Sequence, residues 1–145
     1  MDGNQYKRIL VAVDGTDSAE KALKQGIDMA KKFNAELFIA HIIDTRAFQS
    51  ISSYDEETEQ IASAMANQTL SEYAIQASKA GVSQVTTILR YGIPKKVLAY
   101  NLIEEHHIDL VLLGSTNSKM FEKMFLGSLS NYLTKHATCD VVTID

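Results

Sequence analysis

The strongest constraint on this chain is its regular alternation of short apolar runs with longer segments of helical periodicity. Arg8-Ile-Leu-Val-Ala-Val-Asp14, Leu37-Phe-Ile-Ala-His-Ile-Ile43 and Asp109-Leu-Val-Leu-Leu113 hold few or no polar residues between their ends. Runs this short, rich in β-branched side chains, read as strands buried on both faces, as in parallel sheets. Val82 to Leu89 is more polar and alternating, which suits an edge strand, and Cys139 to Ile144 supplies the last strand. Between the strands, apolar residues recur at helical spacing. One face carries Ala19, Ala22, Leu23, Gly26, Ile27, Ala30 and Phe33; a second carries Ala62, Met65, Ala66, Thr69, Leu70, Tyr73, Ala74 and Ala77. Val97, Leu98, Asn101, Leu102 and Glu105 mark a third helix ending near His106, and Leu129, Tyr132, Leu133 and His136 mark a fourth. The β-α-β-α-β-α-β-α-β order predicts a parallel sheet with helices on both faces.

Local signals punctuate this pattern. Asp17, with Glu20 three residues on, is placed to cap the first helix. Asn34 and Gly81 suit the left-handed positions that close helices, and Pro94 suits a first helical turn. Thr45 to about Glu57 reads as an irregular loop near the carboxyl edge of the sheet.

A chain of 145 residues with 46% hydrophobic content is expected to form one domain, residues 1–145. A net charge of −4 without a basic cluster argues against non-specific nucleic-acid binding. The lone Cys139 excludes an intrachain disulfide and suits a reducing compartment. Ile9 to Val13 is too short for a signal core or a membrane span. The expectation is a cytoplasmic protein with no membrane contact. The sequence contains neither a Gly-x-x-x-x-Gly-Lys-Ser/Thr loop nor a Gly-x-Ser-x-Gly elbow. Nor does it carry the acidic cluster of a phosphoacceptor domain. At most, weak hydrolytic activity is expected, with water positioned by Asp14.

Function is concentrated between Gly114 and Ser128. A buried strand ends in Gly114, a loop follows, and Gly127-Ser128 opens a helix. Backbone N–H groups at such a joint can face an anion. In alternating folds a ligand lies outside the carboxyl ends of the strands, where strand order reverses. That rule gathers Asp14, Asp44 and the Gly114–Ser128 loop around one crevice. Plainer readings stand beside this one. Asp14-Gly15 is also an ordinary turn, and Ser128 an ordinary helix cap. Met120, Phe121, Met124 and Phe125 form either a lid or a partner surface. Lys119 and Lys123 attract phosphates or solvate the loop. His41 reads as a hydrogen-bonded core residue, and His106-His107 as a helix end rather than a metal motif. Cys139 reads as a buried thiol rather than a nucleophile activated by His136.

Several of these stretches together resemble the universal stress protein family. They are Tyr6-Lys-Arg-Ile-Leu-Val-Ala-Val-Asp14-Gly-Thr-Asp-Ser18, His41-Ile-Ile-Asp44, Gly92-Ile-Pro94, Asp109-Leu-Val-Leu-Leu-Gly114-Ser115 and Gly127-Ser128. The resemblance covers essentially the whole chain. It implies a five-stranded parallel sheet of order 3-2-1-4-5, of the adenine nucleotide alpha hydrolase-like kind. The nucleotide-binding branch has a loop of Gly, two residues, Gly, nine residues, Gly, then Ser or Thr. Here Gly114, Gly127 and Ser128 match, and Asn117 replaces the middle Gly. Asn tolerates a left-handed backbone and its amide can donate to a phosphate, whereas its side chain crowds a close approach.

The resemblance implies ATP, or else AMP or ADP, with Mg²⁺ as a possible companion of the phosphates. Ala12 and Asp14 would lie at the first strand's end, with Asp14 near the ribose or adenine edge. Ile42 would pack on adenine, and Leu113 and Gly114 would meet the nucleotide. Asn117, Gly127, Ser128, Leu129 and Ser130 would surround the phosphates. The resemblance also implies a homodimer through the C-terminal strand. The implied role is stress signalling with nucleotide as a regulatory ligand; the alternative is a nucleotide-free interaction module of the same fold.

Overall fold

The computed structural model describes residues 6–14, 16–46, 56–114 and 127–144. The strands are β1 (Arg8–Ala12), β2 (Glu36–Asp44), β3 (Val85–Gly92), β4 (Leu110–Gly114) and β5 (Asp140–Ile144). The helices are α1 (Asp17–Phe33), α2 (Glu56–Ala80), α3 and α4 (Gly127–His136). α3 runs continuously through Pro94–Lys96, Val97–Leu102 and Ile103–His106. All pairings are parallel and the sheet order is β3-β2-β1-β4-β5, as expected.

The sheet divides the core into two layers. Ile9, Val11, Leu37, Ile39, Leu110 and Leu112 point to one side and pack under α1 and α2. Leu10, Phe38, Ala40, Val111 and Leu113 point to the other and pack under α3 and α4. β1 and β4 are buried on both faces because their alternate side chains enter both layers. This is why, apart from the exposed Arg8 that opens β1, they lack polar residues. α1 comes close to the sheet through Gly26, where an added Cβ would lie 2.5 Å from Val11 Cγ2.

Several sequence expectations are corrected in detail. The cap of α1 is Thr16, not Asp17: its hydroxyl accepts from the Ala19 N–H at 3.2 Å. Asp17 becomes the first helical residue, where its charge still favours the helix N-terminus. Met65, expected on the buried face of α2, is 65% exposed; Ala66, Leu70, Tyr73 and Ala77 make that face instead. The third strand begins later than Val82. The Val82 N–H bonds back to the Ala77 carbonyl at 3.1 Å, so this residue closes α2 after Gly81, whose φ is +113°. In α3 the expected Asn101 and Glu105 are exposed, while Ala99 and Ile103 are buried. The cause is a wide π-helical turn in which the Ile103 N–H bonds the Leu98 carbonyl, five residues back. It turns the adjacent pairs Leu98-Ala99 and Leu102-Ile103 to the sheet together. Asn34, as expected, closes α1 in the left-handed conformation at φ 54°.

Gly114, at the end of β4, is fixed by packing. An added Cβ would lie 2.3 Å from the Ser18 carbonyl oxygen and 2.8 Å from the Ala19 nitrogen. These are backbone atoms of α1's first turn and have no rotamer by which to yield. Gly114→Ala is therefore expected to cost about 1–3 kcal/mol by forcing β4 and α1 apart. Urea denaturation checks this against Thr87→Ala on the exposed surface of β3, expected within about 0.5 kcal/mol of the unaltered protein.

Cys139 is half-buried just before β5. Burial first, then the carboxylates of Asp140 and Asp109, push its thiol from 9.0 up to about 11. This is opposite to the shift an activated nucleophile needs. The unfolded chain ionises first, so the stability from keeping the thiol neutral is whole below about pH 9 and lost as pH rises towards about 11. Native alkylation by iodoacetamide at pH 8 should run about a hundredfold slower than in urea-unfolded chain, followed by mass spectrometry. Equal rates would mean that the thiol is not held in its neutral form.

Candidate functional site

The chain leaves β1 in one direction across the sheet to β2 and β3, and in the other to β4 and β5. The carboxyl ends of β1 and β4 therefore flank the point where strand order reverses, the usual ligand crevice of such sheets. Ala12 ends β1 directly beside Leu113 in the β1–β4 register. Ala12, Ile42 and Leu113 belong to the layer under α3 and α4, against which Leu129 of α4 packs. The first three lie towards the carboxyl ends of β1, β2 and β4 on one sheet face. Gly114 follows Leu113, and Gly127 and Ser128 form the first residues of α4. Ser130 shares a hydrogen bond with the hydroxyl of Thr143 in β5 at 2.8 Å, which ties α4 to the neighbouring strand. Asn117, with the remaining loop residues 115–126 and their lysines, methionines and phenylalanines, lies outside the described residues.

Asp14 lies two residues beyond β1 and is exposed. Its approach to the edge is fixed by the Val13 N–H, which bonds the Ala40 carbonyl of β2 at 2.8 Å. Its Oδ1 accepts from the Thr16 N–H at 3.0 Å and from the Thr16 hydroxyl at 2.7 Å. The same hydroxyl caps α1, whose first turn packs on Gly114. The ends of β1 and β4 and the start of α1 thus form one connected unit. Asp44 shows a related arrangement at the end of β2. Its carboxylate accepts from the Arg46 N–H at 3.0 Å and from the guanidinium at 2.6–3.2 Å. Those guanidinium bonds hold the Asp44 carboxyl below the usual carboxylate range. Sequence reasoning missed both Thr16 and Arg46. The available signal was an Asp followed two residues later by a donor, which is the spacing of a side-chain turn.

His41 fits its expected role in part, with a hydrogen bond to the Val13 backbone. It is half-buried, and its Nδ1 is buried without a hydrogen-bond partner among the described residues. Burial lowers its pKa, opposed by the Asp14 charge and the Val13 backbone. The alternation of β2 puts it on the same side as Ile39 and Ile43, where side chains are mainly apolar. His106 is alike in one respect: its ring packs 5.1 Å from that of Phe38, and Nε2 has no partner among the described residues. On the α1–α2 side, Tyr73 donates to Glu20 at 3.3 Å; burial and then that carboxylate push its hydroxyl up to about 12. No group of three His, Cys, Asp or Glu among the described residues could hold a metal ion. No described helix is long and apolar enough to cross a membrane.

Comparison with known proteins agrees with this geometry. The model of the universal stress protein family matches residues 5–145. A universal stress protein of Staphylococcus haemolyticus is 36% identical over 139 residues, covering 96% of this chain and 84% of that one. The solved universal stress protein UspA of Lactobacillus plantarum has the same fold at a TM-score of 0.82 and 26% identity, over 97% of this chain and 99% of that one. A family protein of Arabidopsis thaliana, solved with AMP bound, matches at a TM-score of 0.69 and 22% identity, over 95% of this chain and 90% of that one. The strand order and the near-complete match lead to one assignment: this chain belongs to the universal stress protein family.

Proposed function

We propose that this protein binds ATP at the carboxyl edge of its sheet and uses the nucleotide as a regulatory ligand in cytoplasmic stress signalling. The observation that carries this reading is that Ala12, Ile42, Leu113 and Leu129 belong to one apolar cluster, which we take as the floor of the site, with Asp14 just beyond β1 and α4 starting at Gly127. Each part suits a different portion of an adenine nucleotide. The floor suits the base. A carboxylate at Asp14 accepts hydrogen bonds and repels phosphates, so it suits the ribose hydroxyls or the adenine amine. The α4 N-terminus suits phosphates, because backbone N–H groups and the helix dipole both favour negative charge there. Gly127, Ser128, Leu129, Ser130 and, from the loop, Asn117 are the residues assigned to the phosphates, with Mg²⁺ as their counter-ion. The AMP in the Arabidopsis relative supports the choice of an adenine nucleotide.

Asn117 supports a second reading, a nucleotide-free interaction module, because it replaces the Gly through which phosphates would approach the backbone. Calorimetric titration with ATP and Mg²⁺ separates the two. Saturable binding below millimolar ATP is expected, weakened about tenfold or more in Asp14→Ala through loss of a hydrogen bond to a charged group. No heat at millimolar ATP, together with strong binding gained in Asn117→Gly, would favour the nucleotide-free module.

A two-fold homodimer through β5 belongs to the same proposal. β5 pairs with β4 alone among the described strands, and Val142 and Thr143 on it are exposed, Val142 by 40%. An uncovered edge strand is prone to pair with another. Light scattering at micromolar concentration should give twice the 16.1 kDa chain mass. A single-chain mass would remove the dimer and leave the nucleotide reading standing.

A further inference from the structure

The Asp14 carboxylate does not choose its own orientation. Thr16 makes two hydrogen bonds to the same oxygen, Oδ1, one from its N–H at 3.0 Å and one from its hydroxyl at 2.7 Å. The hydroxyl also accepts from the Ala19 N–H at 3.2 Å. A hydroxyl has one proton, and the approach of the Ala19 N–H to its oxygen leaves that proton for Asp14. With Oδ1 engaged twice, rotation of the carboxylate would break both bonds. Its second oxygen is thereby turned away from Thr16 in a fixed direction. The same side chain caps α1, so the orientation is referenced to the helix start that packs on Gly114.

We infer that Thr16 is the positioning residue of the nucleotide site: it aims the Asp14 carboxylate so that a ligand bringing a hydrogen-bond donor, a ribose hydroxyl or an adenine amine, is held at the end of β1. This rests on the nucleotide reading above and adds to it a residue that touches no ligand itself. The gain is entropic. An exposed Asp side chain pays for ordering when it binds, and one already ordered by two bonds does not.

A plain helix cap would explain the Ala19 bond but not the aiming of Asp14, and substitutions separate the two roles. Ser keeps both the cap and the donor. Asp caps a helix as well as Thr does but, ionised, has no proton to give to Asp14. The probe is adenosine, whose lack of charge keeps the added carboxylate from acting on phosphates. Thr16→Ser should bind adenosine within about twofold of the unaltered protein. Thr16→Asp keeps the cap but sets a second carboxylate beside Asp14, so it should lose some stability and bind about tenfold more weakly. Thr16→Val, which loses the cap and the hydroxyl donor together and keeps only the backbone N–H to Asp14, should lose at least as much affinity, and it provides the test if the Asp variant does not fold. Either the Asp or the Val variant binding adenosine like the unaltered protein would overturn the positioning role while the nucleotide reading survives. Binding of neither adenosine nor AMP by the unaltered protein would remove both.

Discussion

The parallel pairing of β1 with β4 is the contact on which the rest depends. Ile9 to Ala12 lie against Leu110 to Leu113, two strands separated by nearly a hundred residues of chain. Neither is a hairpin partner of the other, so nothing local enforces the pairing. It is held by burial on both faces, where each fully buried Leu or Ile contributes on the order of 1.5–3 kcal/mol. Because β1 also pairs with β2, this contact creates the reversal of strand order and, with it, the crevice.

The start of α1 transmits that pairing to the site. Thr16 caps the helix and holds Asp14; two residues later, the Ser18 carbonyl fills the space that any side chain at position 114 would need. The glycine at the end of β4 is thus a packing requirement first. Its sequence reading as an anion-facing residue was incomplete, because a signature glycine can satisfy a steric demand from a helix that precedes it by almost the whole fold. Thr16 was invisible for a similar reason. Its neighbour Asp17 looks like the better cap by residue type, and only the hydrogen bond to Ala19 decides between them.

α3 illustrates a different limit. A 3.6-residue period puts Asn101 and Glu105 on the buried face, but the π-helical turn widens the period locally and buries Ala99 and Ile103 instead. Glu105 is left exposed to pair with Arg90 of β3 at 2.8 Å. Propensity and periodicity carry no signal for such a turn. On α2, Met65 fits the apolar stripe by type yet faces outwards at 65% exposure, while Ala66 is buried beside Ile43. A stripe drawn one residue too wide is the natural error where alanines and larger apolar residues are mixed along a long helix.

The sequence alone determined the strands that must be buried on both faces, the alternation that makes the sheet parallel, and the positions of Asn34 and Gly81 as helix stops. These follow from short-range rules: composition, period and the backbone freedom of particular residues. It also carried Ala12, Ile42, Leu113 and Leu129 as separate residues, through resemblance to a family. Only the tertiary structure decided that these four belong to one apolar cluster, that Asp14 is hydrogen-bonded by Thr16, that Asp44 is taken by Arg46, and that His41 keeps a buried nitrogen without a partner among the described residues. Each of those depends on which strands become neighbours and on which side a helix returns, and both are set by long-range burial rather than by any window of sequence.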